Sequence, residues 1–296
     1  MKYRHSYHAG NFADVHKHVT LLALLAALER KDKGFLYLDT HAGRGLYDLS
    51  TPAEESTAGI GRFLESEPRA AELEAYAERV RECRALPGSA HALPGSPLLA
   101  AGELRPQDRA VFGELQGAEA QALGAALGAA RDGARVRIER GDGFALLRSL
   151  LPPPERRALV LIDPPYKETR RDFERVAAAL VEGLRRFPSG VFAAWYPIKD
   201  ARDLAGWYGA CRGALSAPVL LSELWLYPRD SRVALNGSGL LIANPPYLIA
   251  ERMQEWLPEL TSILTSPPGS TTLPGGASRA GAGCETRWLT ERERPP

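Results

Sequence analysis

Short apolar runs alternate with longer helical patterns along this chain, and the alternation constrains its fold more than any other feature. Seven such runs, each followed by a polar or glycine-containing turn, are predicted as strands: residues 35–38, 110–112, 136–138, 158–162, 191–196, 224–226 and 240–243. Helical patterns, residues 173–187 and 200–215 among them, lie between the runs. Strands separated by helices are typical of a mostly parallel sheet covered by crossover helices. The sequence therefore predicts an α/β fold built on a seven-stranded, mostly parallel sheet.

The first predicted strand is preceded by a helix and followed by a long interval before the second strand. Residues 11–33 keep apolar residues at helical spacing, Asn11 and Asp14 can cap the first turn, and Gly34 is placed to end the helix. Within the interval, residues 69–86 are rich in Ala, Leu, Glu and Arg, which are good helix formers. We therefore expect a helical insertion in the sheet.

Three parts of the chain are expected from these patterns. They are an N-terminal arm, helix and first strand, residues 1–48; the helical insertion, residues 49–93; and the rest of the core, residues 94–296. Residues 265–283, rich in Pro, Gly, Ser, Thr and Ala, are predicted as a flexible loop in the last part.

Charge and cysteine content limit the partners and the compartment. There are 37 basic and 36 acidic residues, a formal net charge of +1, so any contact with nucleic acid must be local. The three cysteines, Cys83, Cys211 and Cys284, are odd in number and far apart, which argues against a disulfide framework or a zinc ribbon and favours a reducing cytoplasm. The apolar run at residues 19–28 is shorter than the roughly 20 residues that span a bilayer, so no membrane association is expected.

Polar residues follow the first three predicted strands, where ligand sites form in parallel sheets. The first strand opens into a glycine-containing turn at residues 39–45, the second ends at Glu114, and the third leads to Asp142-Gly143-Phe144. A glutamate at a strand end can accept both hydroxyls of a ribose, and an aspartate can accept a hydrogen bond from an adenine amino group. Ordinary turns with solvated carboxylates are the competing interpretation.

The fourth predicted strand delivers the strongest motif, Asp163-Pro164-Pro165-Tyr166. The Asp163 carboxylate and the Pro164 carbonyl can accept two hydrogen bonds from an exocyclic NH₂ group, while Tyr166 stacks on the base. This combination favours methylation of a planar amine. A proline-rich turn without chemistry is the alternative.

A second motif of the same kind, Asn244-Pro245-Pro246-Tyr247, follows the seventh predicted strand. We expect only one of the two to be catalytic. The Asp163 motif is favoured because the fourth strand lies directly across the switch point from the first, where ligands bind in open sheets. Asn244 is then expected to be a structural stop or a wall of the substrate cleft.

The N-terminal region combines histidines with aromatic and basic residues. Five of the six histidines lie in the first 41 residues, but no carboxylate or cysteine set with metal-ligand spacing accompanies them, so no metal site is expected. The interleaving of Tyr3, Arg4, Tyr7 and Lys17 is typical of an arm that contacts RNA.

Together these motifs closely resemble the bacterial ribosomal RNA large-subunit methyltransferase J family, over about residues 2–264 and 286–290. The residues that carry the resemblance are residues 3–18, 39–43, 94–97, 142–144, 163–166, 195–197 and 244–247. The resemblance implies a Rossmann-like class I methyltransferase that depends on S-adenosylmethionine and methylates the N6 amine of one adenine, position 2030 of 23S ribosomal RNA.

The resemblance also implies roles for individual residues. Those expected to line the cofactor site are His18, His41, Ser96, Glu114, Asp142, Gly143 and Asp163. Asp163 would also be the catalytic group, and the residues expected on the RNA side are Tyr3, Lys17, Pro164 and Tyr166. The expected partner is 23S ribosomal RNA, as protein-free RNA or an early assembly intermediate, bound by a cytoplasmic monomer.

Two other functions stay open from the residues. One is methylation of another planar amine, in DNA or on a glutamine side chain, with the Asn244 motif as the active one. The other is a non-catalytic RNA-binding scaffold whose cofactor cleft is vestigial.

Overall fold

An eight-stranded sheet forms the centre of the protein in a computed structural model that describes residues 9–128, 135–199, 204–231, 233–266 and 280–291. Its strands are β1 Leu36–Asp39, β4 Arg109–Glu114, β5 Arg135–Arg140, β6 Ala158–Ile162, β7 Val191–Ile198, β8 Val219–Trp225, β9 Gly237–Ala243 and β10 Gly283–Thr290. Two short strands, β2 Leu46–Asp48 and β3 Ala92–Pro94, pair antiparallel in a separate sheet. The order in the main sheet is β10-β8-β9-β7-β6-β1-β4-β5.

The prediction of seven strands is wrong by one. All seven predicted runs lie in the sheet, and β10 is the additional member, antiparallel to β8. β10 is a sheet edge, where only one side of the strand is paired, and its sequence mixes Glu285 and Arg287 with apolar residues. An edge strand of this kind lacks the continuous apolar run that marks the buried strands. Part of the predicted loop 265–283 is also ordered, because Thr265 ends a helix and Gly283 begins β10, while residues 267–279 lie outside the described residues.

The helices alternate with the strands as expected. They are α1 Phe12–Glu29, α2 Glu54–Ser56, α3 Arg62–Glu65, α4 Ala71–Ala85, α5 Ser96–Glu103, α6 Gly117–Gly128, α7 Gly143–Leu150, α8 Thr169–Arg186, α9 Ala205–Ala214 and α10 Ile249–Thr265. A π-helical turn, Thr57–Gly61, links α2 to α3. None of the helices in these described ranges is long and apolar enough to cross a membrane.

The first helix begins where the sequence predicted and ends earlier. The Asn11 side chain accepts a hydrogen bond from the Asp14 backbone N–H at 3.0 Å and so caps the first turn. The helix stops at Glu29 rather than at Gly34, because Arg105 donates to the carbonyl oxygens of Glu29 and Lys31 and satisfies these groups outside the helical pattern.

Two apolar clusters cover the two faces of the sheet. Along β1, Tyr37 packs into the cluster with α1, α4, α5 and α10, whereas Leu36 and Leu38 pack into the cluster with α7, α8 and α9. This alternation follows from the two-residue period of a strand. The molecule is therefore a three-layer arrangement, with helices on both faces of the sheet.

The residues between β2 and β3 form helices that pack against the core. Arg252 of α10 pairs with Glu72 of α4 at 2.7 Å, and Glu259 accepts hydrogen bonds from the backbone N–H groups of Arg69 and Ala70. These contacts hold the start of α4 against α10.

Strand directions divide polar residues between two edges of the sheet. β1, β4, β5, β6 and β7 are mutually parallel, so their carboxyl ends share one edge. β6 lies directly beside β1, which confirms the predicted switch point between them. β9 is antiparallel to β7, and its carboxyl end therefore lies at the opposite edge.

Candidate functional site

Asp163 follows β6 directly, and its carboxylate pairs with a lysine of α1. Lys17 Nζ lies 2.6 Å from Asp163 Oδ2 and 2.8 Å from Asp14 Oδ1, and Lys17 is only 5% exposed. Burial lowers the pKa of Lys17, but the charges and hydrogen bonds of Asp14 and Asp163 outweigh burial and leave that pKa well above its ordinary value. The lysine is therefore a fixed cation that orients the Asp163 carboxylate through one of its two oxygens.

Asp14 is a part of this arrangement that the sequence motifs did not single out as a site residue. Its Oδ2 accepts a hydrogen bond from the Gly10 N–H at 2.9 Å, while Oδ1 binds Lys17 one helical turn away. Residues three apart on a helix face the same side. The spacing of Asp14 and Lys17 in an otherwise apolar helix was therefore the sequence signal that could have identified Asp14 as a site residue.

A second buried carboxylate, Asp39, lies at the end of the neighbouring strand β1. It is fully buried and accepts hydrogen bonds from the Ser96 hydroxyl at 2.6 Å, the His41 N–H at 3.2 Å and the Tyr37 hydroxyl at 3.2 Å. Burial raises the pKa of Asp39 to about 6, although the hydrogen bond from Ser96 acts in the opposite direction. Asp39 stood in the predicted turn but not among the predicted binding residues.

Glu114 ends β4 and holds the turn that follows β1. Its Oε2 accepts from the Gly43 N–H at 2.9 Å and its Oε1 from the Gln116 N–H at 2.7 Å. Gly43 has φ +65°, and a Cβ there would lie 2.7 Å from the Tyr47 hydroxyl, so the turn requires glycine. Each carboxylate oxygen keeps a lone pair for a further donor, as a ribose diol requires.

Asp142 caps α7 next to the same turn. Its Oδ1 accepts from the backbone N–H groups of Phe144 and Ala145, and its Oδ2 pairs with Arg175 at 2.9 Å. A Cβ on Gly143 would overlap the Thr40 carbonyl oxygen, so only glycine allows the start of α7 to approach the β1 turn this closely.

His41 joins these two turns. Its ring contacts the Phe144 ring edge-on at 5.0 Å, and its Nδ1 lies 2.8 Å from the Thr40 hydroxyl. Burial lowers the pKa of His41 to about 4, so the imidazole is neutral at neutral pH. The structure thus brings His41, Ser96, Glu114, Asp142, Gly143 and Asp163 to one edge of the sheet, as strand ends or the turns beside them.

His18 is buried on α1 next to Lys17, and its described ring contact is with the insertion. Its Nδ1 lies 3.2 Å from the Tyr76 hydroxyl of α4. Among the residues that the structure describes, no contact given for His18 is with Asp39 or Asp163. Its place in the cofactor site therefore stays a prediction. Tyr3 lies outside the described residues.

Tyr166 is packed into the core, and the expectation that its face is open for stacking on a base does not match this geometry. It is 6% exposed, its ring contacts Phe173 at 4.9 Å and Trp195 at 5.6 Å, and its hydroxyl donates to the Trp195 carbonyl at 2.7 Å. Tyr166 therefore fixes the turn after Asp163, in which Pro164 is also buried. It takes a positive φ of 44° there, which the two aromatic contacts hold in place.

Trp195 of β7 connects this turn to a buried hydrogen-bond network. Its Nε1 donates to the Ser238 hydroxyl at 2.9 Å, and the same hydroxyl lies 3.0 Å from His16 Nδ1. The other ring nitrogen of His16 lies 3.0 Å from the Ser222 hydroxyl, and burial lowers the pKa of His16 to about 3 while a hydrogen bond to Ser238 acts in the opposite direction. His16 is therefore a neutral link between α1, β8 and β9.

Over the described ranges, no group of three His, Cys, Asp or Glu side chains has an arrangement that could hold a metal ion.

Asn244 lies at the opposite edge of the sheet from Asp163, because β9 is antiparallel to β7. Its Nδ2 donates to the carbonyl oxygens of Pro188 and Gly190 at 2.7 and 2.9 Å, and its backbone N–H donates to Pro218. The expectation of a cleft wall at Asn244 is therefore wrong, and a structural stop is what the contacts show. The same position separates this motif from the polar residues at the β6 edge, which argues against catalysis on it.

Comparison with known proteins agrees with this geometry. The family model described as "Ribosomal RNA large subunit methyltransferase D, RlmJ" matches residues 32–274. Proteins named ribosomal RNA large subunit methyltransferase J from Escherichia coli and Haemophilus influenzae are 38% and 36% identical over 274 residues, which cover 91% of this chain and 96% of each relative. A crystal structure of a Legionella pneumophila protein superposes with a TM-score of 0.80 at 33% identity and covers 95% of this chain and 98% of that one.

Family membership follows from both the length of these matches and their sequence identity. The family model covers most of the chain, and the two relatives align over nearly their whole length. The strand order, with β6 beside β1 at the switch point, is the arrangement that a Rossmann-like sheet requires. The chain belongs to the ribosomal RNA large subunit methyltransferase J family.

Proposed function

We propose that this protein transfers a methyl group from S-adenosylmethionine to the N6 amine of one adenine in 23S ribosomal RNA, the base at position 2030 by family resemblance. The observation that carries the proposal is the Asp163 carboxylate held by Lys17 at the switch point of the sheet. Family membership supports methylation of large-subunit ribosomal RNA, and the turn after β6 supports an amine as the acceptor.

The polar groups at this edge fit S-adenosylmethionine by their chemistry. Glu114 has free acceptor capacity for a ribose diol, and Asp142 is an acceptor for an adenine amine. Asp39 is a buried anion that suits a cationic ligand, with Ser96 and His41 in direct contact. His18 and Gly143 complete the proposed cofactor residues. When bound, S-adenosylmethionine supplies a methyl group on a positively charged sulfur.

Asp163 and the Pro164 carbonyl are the proposed acceptors for the two N–H groups of the adenine amine. An adenine amine is barely basic, so the carboxylate mainly orients the nitrogen and takes up its proton as the N–C bond forms. Lys17 occupies Oδ2, which leaves Oδ1 for the amine. Tyr166 stabilises the turn after β6 and does not stack on the target adenine in this proposal.

The substrate side includes Tyr3 and Lys17 in this proposal. The target adenine must leave its stack to reach the turn after β6, which costs least in a loop or in RNA without bound proteins. We therefore propose protein-free 23S RNA or an early assembly intermediate as the substrate, and a cytoplasmic monomer as the enzyme.

Turnover of the Asp163→Ala variant on transcribed 23S RNA tests the proposal. The variant should keep the fold and lose at least about 100-fold in kcat, as positioning effects of this kind do. Normal turnover by the variant would contradict the assignment. Methylation of DNA or of a glutamine side chain in place of RNA, or absence of S-adenosylmethionine binding by calorimetry, would establish one of the two alternative functions.

A further inference from the structure

Charged side chains follow the strand ends on both sides of the switch point. The strand ends on the β1, β4 and β5 side carry Asp39, Glu114 and Asp142 together with Arg140. The β6 and β7 side continues from Asp163 into residues 167–175, which hold four basic and three acidic residues. We call Lys167, Arg170, Arg171 and Lys199 on that side the α8 basic edge.

Within the α8 basic edge, Lys199 lies beside the start of α8. Arg170 and Arg171 lie in the first turn of α8, which begins at Thr169. Lys199 comes directly after β7, and its Nζ lies 3.3 Å from the Thr169 hydroxyl. Since β6 and β7 are parallel neighbours, their ends place Lys199 and the start of α8 at the catalytic edge of the sheet.

The arginines of this edge are open to solvent and only weakly engaged. The side chains of Arg170 and Arg171 are 94% and 72% exposed. Each has one acidic neighbour: Glu174 lies 3.3 Å from Arg170, and Glu168 lies 3.0 Å from Arg171. Exposed ion pairs of this kind contribute little to stability, so a phosphate can replace the carboxylate at small cost. The third acid of the segment, Asp172, is buried and accepts from the Glu168 N–H.

We propose that the α8 basic edge binds the RNA phosphates that flank the target adenine. The chain as a whole has a net charge of only +1, so a polyanion requires a local concentration of cations. Arginine suits this role because its planar guanidinium binds phosphate oxygens in pairs. This inference rests on the proposed function, because it takes RNA as the substrate whose base enters beside Asp163.

A pair of matched double variants of α8 tests the proposal. Arg170→Ala with Arg171→Ala removes two charges at the catalytic end of the helix. Arg185→Ala with Arg186→Ala removes two charges at the other end of the same 18-residue helix, about 22 Å away. Both arginine pairs contact glutamates three or four residues away, so the two variants change the helix in similar ways.

Binding of a labelled 23S RNA fragment, measured by anisotropy across a salt series without turnover, gives the readout. The first variant should bind roughly tenfold more weakly at low salt and lose about 1.4 to 1.8 in the slope of log K against log salt, whereas the control keeps both values. Affinity for S-adenosylmethionine should be unchanged in both.

Equal RNA affinity and equal salt slope in the two variants across the whole salt series would overturn the proposal. This outcome differs from failure of the proposed function. In that case the unmodified protein would not bind the RNA, or would bind it and methylate none of its adenines. Equal weakening in both variants also overturns it, because the loss would then reflect overall charge rather than a local site.

Discussion

At the level of single residues, the site depends on carboxylates in different surroundings. The Asp163 side chain pairs with a cation and is 11% exposed, whereas Asp39 is fully buried and accepts hydrogen bonds from neutral donors. The same side chain type is therefore held as an ion-paired carboxylate at one strand end and as a carboxylate with a raised pKa at the next.

Asp39 predicts a pH dependence of cofactor binding. Because its pKa is raised to about 6, the carboxylate becomes protonated below that pH and loses its attraction for a cation. Affinity for S-adenosylmethionine should therefore fall as pH falls through about 6. Calorimetric titration between pH 5 and pH 8 checks this, and the Asp39→Asn variant should bind weakly with no such pH dependence. A variant with unchanged affinity would show that Asp39 does not face the cofactor.

The same residue predicts an opposite effect on stability. Its folded pKa of about 6 exceeds the ordinary value of 3.8, so the folded state binds the proton more tightly and stability falls as pH rises from about 4 to about 6. The cofactor-free Asp39→Asn variant should therefore be more stable than the unmodified protein at pH 7, on the order of 1 to 3 kcal/mol. Urea unfolding at pH 4 and pH 7 measures this. A loss of stability at pH 7 would contradict the argument.

At the level of elements, strand direction places the two proline motifs at opposite edges of the sheet. Asn244 hydrogen-bonds two carbonyl oxygens in the turn between α8 and β7, at the edge opposite Asp163. The Asn244→Ala variant should lose about 1 to 3 kcal/mol of stability and keep kcat within about threefold. Thermal unfolding together with turnover on 23S RNA distinguishes the two effects. A kcat loss as large as that of Asp163→Ala would contradict the topology argument.

The network through Trp195 gives a second prediction at this level. Ser238→Ala removes the acceptor of the Trp195 Nε1 and should reduce kcat, because Trp195 contacts both Tyr166 and Lys17. Ser222→Ala removes only the contact between His16 Nε2 and the Ser222 hydroxyl, which does not involve Trp195, and is the matched control. Ser222→Ala should lose about 1 to 3 kcal/mol of stability, because it leaves one nitrogen of His16 without its partner. Ser238→Ala should lose more, because it leaves both Trp195 Nε1 and His16 Nδ1 without theirs. Equal kcat values in the two variants would show that the network has no positioning role.

Much of the fold could be predicted from the sequence because the buried strands are apolar runs closed by turn residues. The edge strand β10 could not, since half of its surroundings are solvent. The pair of Lys17 and Asp163 joins residues 146 positions apart, and no local pattern reports such a contact. The burial of Tyr166 likewise depends on Trp195, from another strand.

The position of Asn244 had one available signal: residues 226–236 between β8 and β9 are too few for a crossover helix, so the two strands must be antiparallel.

At the level of the whole molecule, a nearly neutral protein must hold a long polyanion through few contacts. The α8 basic edge and the N-terminal arm are the proposed positions of these contacts, and selectivity then comes from RNA shape and the single base in the cleft. The slope of log K against log salt should be shallow, about −2 to −4, as expected for a small number of phosphates. A slope near −10 would contradict a local interface.

The position of the methyl group on the RNA tests the central claim most directly. Transcribed 23S RNA is incubated with S-adenosylmethionine and either the unmodified protein or the Asp163→Ala variant, and the modified nucleotide is located by mass spectrometry of nuclease fragments. We expect one N6-methyladenosine with the unmodified protein and none with the variant. A methyl group on a different atom or base, or an equal yield from the variant, would contradict it.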